Sequence, residues 1–145
     1  LCSGAQSCMK KYLPKNMSRE IKFRVWDLDG GVMFDWESCR DTQLLNDAFD
    51  NKRASATQFT GLKDKNGREI YEGDLVNFYT PGHPHGPARE DFTNEEVWYD
   101  DDSAAFVFGK VYYDGWHGYS VCDVKDLEVV GNIFENPEKG KKYGI

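Results

Sequence analysis

Apolar residues in this chain come in short runs, and each run is cut off within a few residues by glycine, proline, asparagine or aspartate. That punctuation constrains the fold more than any other feature. It leaves no stretch of the ~20 successive apolar residues that a membrane-spanning helix needs. What fits is a set of short strands joined by tight turns. The residue types agree: aromatics make up 14% of the chain, and Val, Ile, Phe, Tyr and Trp favour the pleated, half-buried surface of a sheet. Disorder goes with aromatic depletion, so this composition belongs to a chain that folds and buries rings.

The strands can be read off in order. Residues 1–16 carry Lys10, Lys11 and Lys15 without an acid or a periodicity, and are expected to be a disordered leader or a cloning extension. From Ile21 the pattern alternates, with Ile21, Phe23 and Val25 on one side and Lys22, Arg24 and Trp26 on the other. Asp29-Gly30-Gly31 then predicts a hairpin turn, because these residues accept positive φ, and Val32, Phe34 and Trp36 return on one face. The period changes at 41–51, where Leu44, Leu45, Ala48 and Phe49 fall on one helical stripe with Asp41 or Thr42 as N-cap. Thr57 to Leu62 reads as a strand, and Lys63 to Gly67 as a charged turn.

The stretch Glu69-Ile70-Tyr71-Glu72-Gly73-Asp74-Leu75-Val76 places a glycine and a short acid directly before an apolar strand. Such a pair suits a sharp bend, since glycine tolerates a strained backbone and aspartate can bond its own main chain. Further strands are expected at 96–99, 105–113, 119–124 and 127–134, with Asp114 to Gly118 as a turn. Thr80 to Glu95, rich in proline, glycine and acid, reads as a long excursion, and the segment from Thr80 to Asp102 as mobile and dispensable for folding. Five short strands in about sixty residues predict a small barrel or sandwich. The fold class is therefore mainly β with one short helix. An N-terminal hairpin-containing part (17–60) precedes an SH3-like barrel (61–136), and 137–145 form a tail.

Three blocks resemble a known family. Ile21 to Asp27 (IKFRVWD), Gln58 to Val76 (QFTGLKDKNGREIYEGDLV) and Val130 to Pro137 (VGNIFENP) look like the blocks of the YopX family, in the family's order. The resemblance covers about residues 19–138 and is weakest over 80–126. It implies a protein encoded by phages and prophages, acting in the cytoplasm of the bacterial host and often assembled into homo-oligomers. The family has no settled activity, so the resemblance carries over no catalytic residues. The basic leader and the His- and Pro-rich acidic loop depart from the family's pattern.

The formal net charge of −7, with no basic stripe, argues against direct binding to nucleic acid and for solubility or a basic partner surface. Cys2, Cys8, Cys39 and Cys122 are too sparse for a disulfide framework and read as reduced cytoplasmic thiols. His83 and His85 offer two imidazoles, which fall short of a metal site, with His117 remote. Glu90, Asp91, Glu95, Glu96, Asp100, Asp101 and Asp102 form the densest charge, and successive strand residues point apart, so they read as a solvated acidic loop or a docking patch. Trp98 and Trp116, with Tyr112, Tyr113 and Tyr119, add aromatic anchors of the kind interfaces use. Neither Cys39 nor Cys122 has a histidine nearby in sequence to activate it. The expected function is thus a non-enzymatic, homo-oligomeric binding or assembly protein without cofactor, metal or membrane attachment. Its candidate partner residues are Glu90, Asp91, Glu95, Glu96, Trp98, Asp100, Asp101, Asp102 and Trp116. The alternative is an acidic mimic of nucleic acid that occupies a basic host DNA-binding or defence protein. A small metal-dependent hydrolase is a third class, resting on His83, His85 and the aspartate run.

Overall fold

The structure is a computed structural model and describes residues 20–50, 52–82, 84–112 and 116–140. The expected leader at 1–16 lies outside them. Nine strands and two short helices appear among the described residues: β1 (Phe23–Asp27), β2 (Val32–Phe34), α1 (Trp36–Cys39), α2 (Gln43–Phe49), β3 (Ala54–Lys63), β4 (Glu69–Tyr71), β5 (Asp74–Pro81), β6 (Arg89–Asp100), β7 (Ala105–Tyr112), β8 (Trp116–Tyr119) and β9 (Lys125–Asn132). They form two antiparallel sheets, ordered β2-β1-β3-β4 and β8-β7-β6-β5-β9. The chain is mainly β, as expected, and one sheet curls into a half-barrel, consistent with a small barrel. The sheets divide at Glu72-Gly73, and the expected boundary at residue 60 falls inside β3.

The hairpin forms where the sequence places it, with Gly31 at φ +63° in its turn and Val25 opposite Phe34. One expectation about this region needs correction. The chain makes two short helices rather than one, because Asp35 caps α1 by accepting the Ser38 N–H at 2.9 Å. On the other side of β1, Lys22 and Arg24 are only 8% exposed. The face of β1 opposite them packs Val25 against Cys39 of α1, Ala48 of α2 and Ala54 of β3. β1 is covered on both sides.

The long excursion is also corrected. Residues 89–100 are the longest strand among the described residues, with Thr80 opposite Glu90, Phe78 opposite Phe92 and Leu75 opposite Glu96. Only residues 82–88 connect β5 to β6, and the Gly82 N–H donates to the Ala88 carbonyl at 2.9 Å to close that connection. The prolines are tolerated because Pro81 ends β5 and the others sit beyond it. A strand at 119–124 does not form either. β8 ends at Tyr119, and Ser120 Oγ accepts the Cys122 N–H at 3.1 Å in a side-chain-built turn.

The larger core lies in the second sheet, where Val76, Phe78, Val97, Phe108, Val124 and Val129 pack with Ile70 of β4. Aromatic edges complete it: Phe78 stacks on Phe92 with centroids 4.9 Å apart, and Tyr119 meets both rings. At about 25 cal/mol per Å² of apolar area removed from water, such rings supply much of the driving force for closing the sheet.

Candidate functional site

Two polar centres hold the sheets together. At the first, Arg24 of β1 reaches across to Asp74, with Nη2 2.6 Å from Oδ1. The two side chains are 10% and 1% exposed. The same guanidinium donates from Nε to Thr57 Oγ1 at 3.2 Å and lies over the Tyr71 ring, 4.8 Å from its centroid. Asp74 Oδ2 accepts the Tyr71 N–H at 2.8 Å. No donor meets Oδ1 with hydrogen-bond geometry, so the Arg24 contact acts there as charge against charge. Burial pushes the Asp74 carboxyl above its ordinary range, and the Arg24 charge and the Tyr71 N–H pull the other way.

Lys22 continues this seam. Its ammonium pairs with Glu69 and lies 4.6 Å from the centre of the Phe59 ring. Hydrogen bonding to Glu69 holds the lysine above its ordinary pKa. Burial alone would raise the Glu69 carboxyl, but donors from Lys22 and Tyr71 bring it below the ordinary range. Trp26, next on the same face, stacks on Phe134 with centroids 5.8 Å apart.

The bend that delivers Asp74 is Gly73, at φ +83°. Its N–H donates to the Val97 carbonyl at 2.7 Å and its carbonyl accepts the Ile133 N–H at 2.9 Å. A Cβ here would stand 3.3 Å from Phe134 Cε2.

The second centre is Asp64. Its Oδ1 accepts the N–H groups of Asn66 and Arg68, and its Oδ2 accepts that of Val129, each at 2.9 Å. Burial raises this carboxyl, but the three backbone donors outweigh it and leave the pKa low. The clamp ties the β3–β4 turn to β9. The three blocks singled out in the sequence therefore converge: 21–27 docks on 58–76, and 130–137 closes over Gly73 and Trp26. Opposing side chains account for Lys22, Arg24, Trp26, Glu69 and Asp74 within them.

The candidate partner residues are dispersed. Glu90 and Asp91 are exposed at the start of β6, where Asp91 pairs with Arg89 at 2.8 Å. Glu95 is buried at 3% exposure, and Asp100 at 6%, where it accepts from Ser103 Oγ at 2.8 Å and from the Asp102 N–H at 3.1 Å. Glu96 is half-buried and its pKa is raised, first by burial and then by Glu72, with Lys110 opposing. Asp101 and Asp102 are exposed in the β6–β7 turn. Trp98 is half-buried and donates its indole N–H to the Gly109 carbonyl at 2.7 Å. Trp116 opens β8 opposite Tyr112; its side chain, those of Tyr112 and His117, and all of Tyr113 lie outside the described set, as do Cys2, Cys8 and His83. Among the described residues no three His, Cys, Asp or Glu side chains come together to hold a metal ion, and no helix is long and apolar enough to cross a membrane. Cys39 and Cys122 are unpaired, and burial pushes the Cys39 thiol up.

Sequence reasoning missed two surface features. Six large apolar side chains are exposed among the described residues, and four of them, Ile21, Leu28, Val32 and Phe49, belong to the hairpin and α2. A cleft of about 540 Å³ also opens where β3 and the residue after β4 face the β6–β7 turn, lined by Gln58, Thr60, Glu72, Tyr99, Ala104 and Phe106.

The comparisons agree with this picture. The crystal structure of protein EF1440 from Enterococcus faecalis is similar at 28% identity, with a TM-score of 0.50, over 83% of this chain and 98% of that one. A search of curated proteins gave no match. The family described as "YopX protein" matches residues 22–139, which hold the three converging blocks except Ile21; the chain belongs to the YopX family.

Proposed function

We propose that this protein is a non-enzymatic binding and assembly protein that works as a homo-oligomer in the cytoplasm of a phage's bacterial host. The observation that carries the reading is the set of exposed apolar side chains in residues 21–49. Val32 stands on β2, the edge strand with one neighbour only, while Ile21 precedes β1, Leu28 lies in the hairpin turn and Phe49 ends α2. An open edge beside apolar side chains suits pairing with a second copy. The reading is also supported by how the strongest polar residues are used: Lys22, Arg24, Glu69 and Asp74 neutralise one another across the seam.

The nucleic-acid mimic draws less support. Glu95 and Asp100 are buried, and the exposed acids divide between the two ends of β6, about 30 Å apart by the rise of a strand. Light scattering at micromolar concentration tests assembly. A multiple of 16.6 kDa is expected, and Val32→Lys with Phe49→Lys should return it to the monomer. A wild-type monomer across that range refutes the reading.

A further inference from the structure

We propose that the cleft between β3 and the β6–β7 turn is a docking site for a cationic side chain, a guanidinium above all, presented by a partner polypeptide. The site stands apart from the apolar hairpin surface and does not depend on self-association.

The cleft's chemistry narrows the ligand. Its volume of about 540 Å³ falls within the range of small-ligand sites. Glu72 is the one formally charged residue among those lining it. The Glu72 carboxylate takes no hydrogen bond or ion pair from a described residue; only its backbone groups are used, by Gln58 and Arg24. The Gln58 carboxamide is likewise unengaged by described residues, and both side chains are half-buried. A carboxylate and an amide oxygen together accept protons, so they favour a ligand rich in donors.

The opposite wall is aromatic. Tyr99 is 42% exposed and meets Phe106 edge to face at 5.3 Å. An exposed ring beside an uncommitted carboxylate is the environment a planar cation prefers, since the ring face and the charge attract it together. The fold already uses this pairing three times within itself, at Lys22 on Phe59, Arg24 on Tyr71 and Arg89 on Tyr79. In the cleft the carboxylate and the ring are present, and no Lys or Arg is among the residues lining it.

Two further observations point the same way. Ala104, on the cleft's rim, holds φ +51°, a left-handed conformation that is strained for a residue with a Cβ. Strain of this kind collects where a surface is shaped for a ligand. Glu96 is close enough to Glu72 for their charges to repel, with Lys110 acting on Glu96 the more strongly. Arg24, which touches the Glu72 carbonyl, is matched by Asp74. A cation entering the cleft relieves that repulsion. With the chain at −7 overall, steering favours the same ligand.

The test titrates the full chain with acetyl-Gly-Arg-Gly-amide, and separately with the citrulline peptide, which keeps the shape and loses the charge. Backbone amide shifts are read by NMR. The expected result is saturable shifts centred on residues 58, 72, 99 and 104–106, at least tenfold weaker with citrulline. Glu72→Gln should weaken the arginine peptide about tenfold. Tyr99→Ala should weaken it several-fold, with Tyr99→Phe retaining it. Should Glu72→Gln fail to fold, the two Tyr99 variants decide. Shifts scattered over the surface, equal binding of the citrulline peptide, or undiminished binding by the variants overturns the proposal.

Discussion

Replacing Arg24 with methionine removes the cation from a seam where its partner cannot reach water. The Asp74 side chain is 1% exposed, and the guanidinium is its closest charge at 2.6 Å. Breaking a buried pair on one side costs about 3–5 kcal/mol, because the remaining charge is stranded. Asp74 keeps the Tyr71 N–H at 2.8 Å, which places the expected loss toward the lower end, about 3 kcal/mol. That is a large part of the 5–15 kcal/mol typical of a domain. The pH dependence carries a sign. Asp74 is raised above its ordinary 3.8 by burial, with Arg24 opposing, so folding disfavours its ionised form. The cost is full above the folded pKa, shrinks as pH falls through it, and vanishes below the unfolded value. Removing Arg24 lifts the folded pKa further and brings that window toward neutrality. Urea denaturation should therefore show the deficit of Arg24→Met largest near about pH 7 and smaller near about pH 5. The double variant Arg24→Met, Asp74→Leu should recover part of it, the Tyr71 N–H being left without its acceptor. A deficit under about 1 kcal/mol, or one equal at both pH values, refutes the assignment.

Other perturbations follow from the same geometry. Gly73→Ala should lose about 1–3 kcal/mol from positive φ and the Phe134 contact, and an unchanged melting temperature counts against it. Asp64→Ala should lose roughly 1.5–3 kcal/mol by freeing three backbone donors. Because the folded Asp64 pKa is depressed, its stabilisation is present above the unfolded value and lost as pH falls through the folded one. The variant's acid-unfolding limb should be correspondingly flatter. Replacing residues 83–87 with Asn-Gly should change the melting point little, since closure entropy varies slowly with length. Excising Pro81–Asp91 should unfold the sheet, because Tyr79 and Thr80 of β5 lose Asp91 and Glu90, which pair with them. Circular dichroism distinguishes the two.

Local chemistry made the hairpin, α2 and the Gly73 bend legible: an Asp-Gly-Gly turn, a helical stripe and a Gly-Asp pair act within a few residues. What stayed hidden was long-range. Alternation sets Lys22 and Arg24 on the side opposite Ile21, Phe23 and Val25 without showing what covers them. Their burial depends on Glu69 and Asp74, more than forty residues on. β6 looks like a loop because its acids have low strand propensity, yet pairing with β5 and β7 on either side overrides that preference. The cleft was illegible for the same reason, since Glu72 and Tyr99 meet only when the two sheets face each other. The exposed apolar cluster was masked by periodicity, which places Phe49 on the inner stripe while leaving it 55% exposed.

The Asp64 clamp has a consequence for how the chain is made. Its third donor, Val129, comes 65 residues later, and the strand that carries it, β9, lies on the free side of β5. A chain emerging from the ribosome thus presents β5 with one side unpaired until β9 has been synthesised. Throughout that interval the Asp64 carboxylate is one donor short and Gly73 has no Ile133 to bond. Closure thereby waits for residues 125–133, and a stalled or truncated product ending before residue 125 is left with an open apolar edge for a chaperone or protease to recognise.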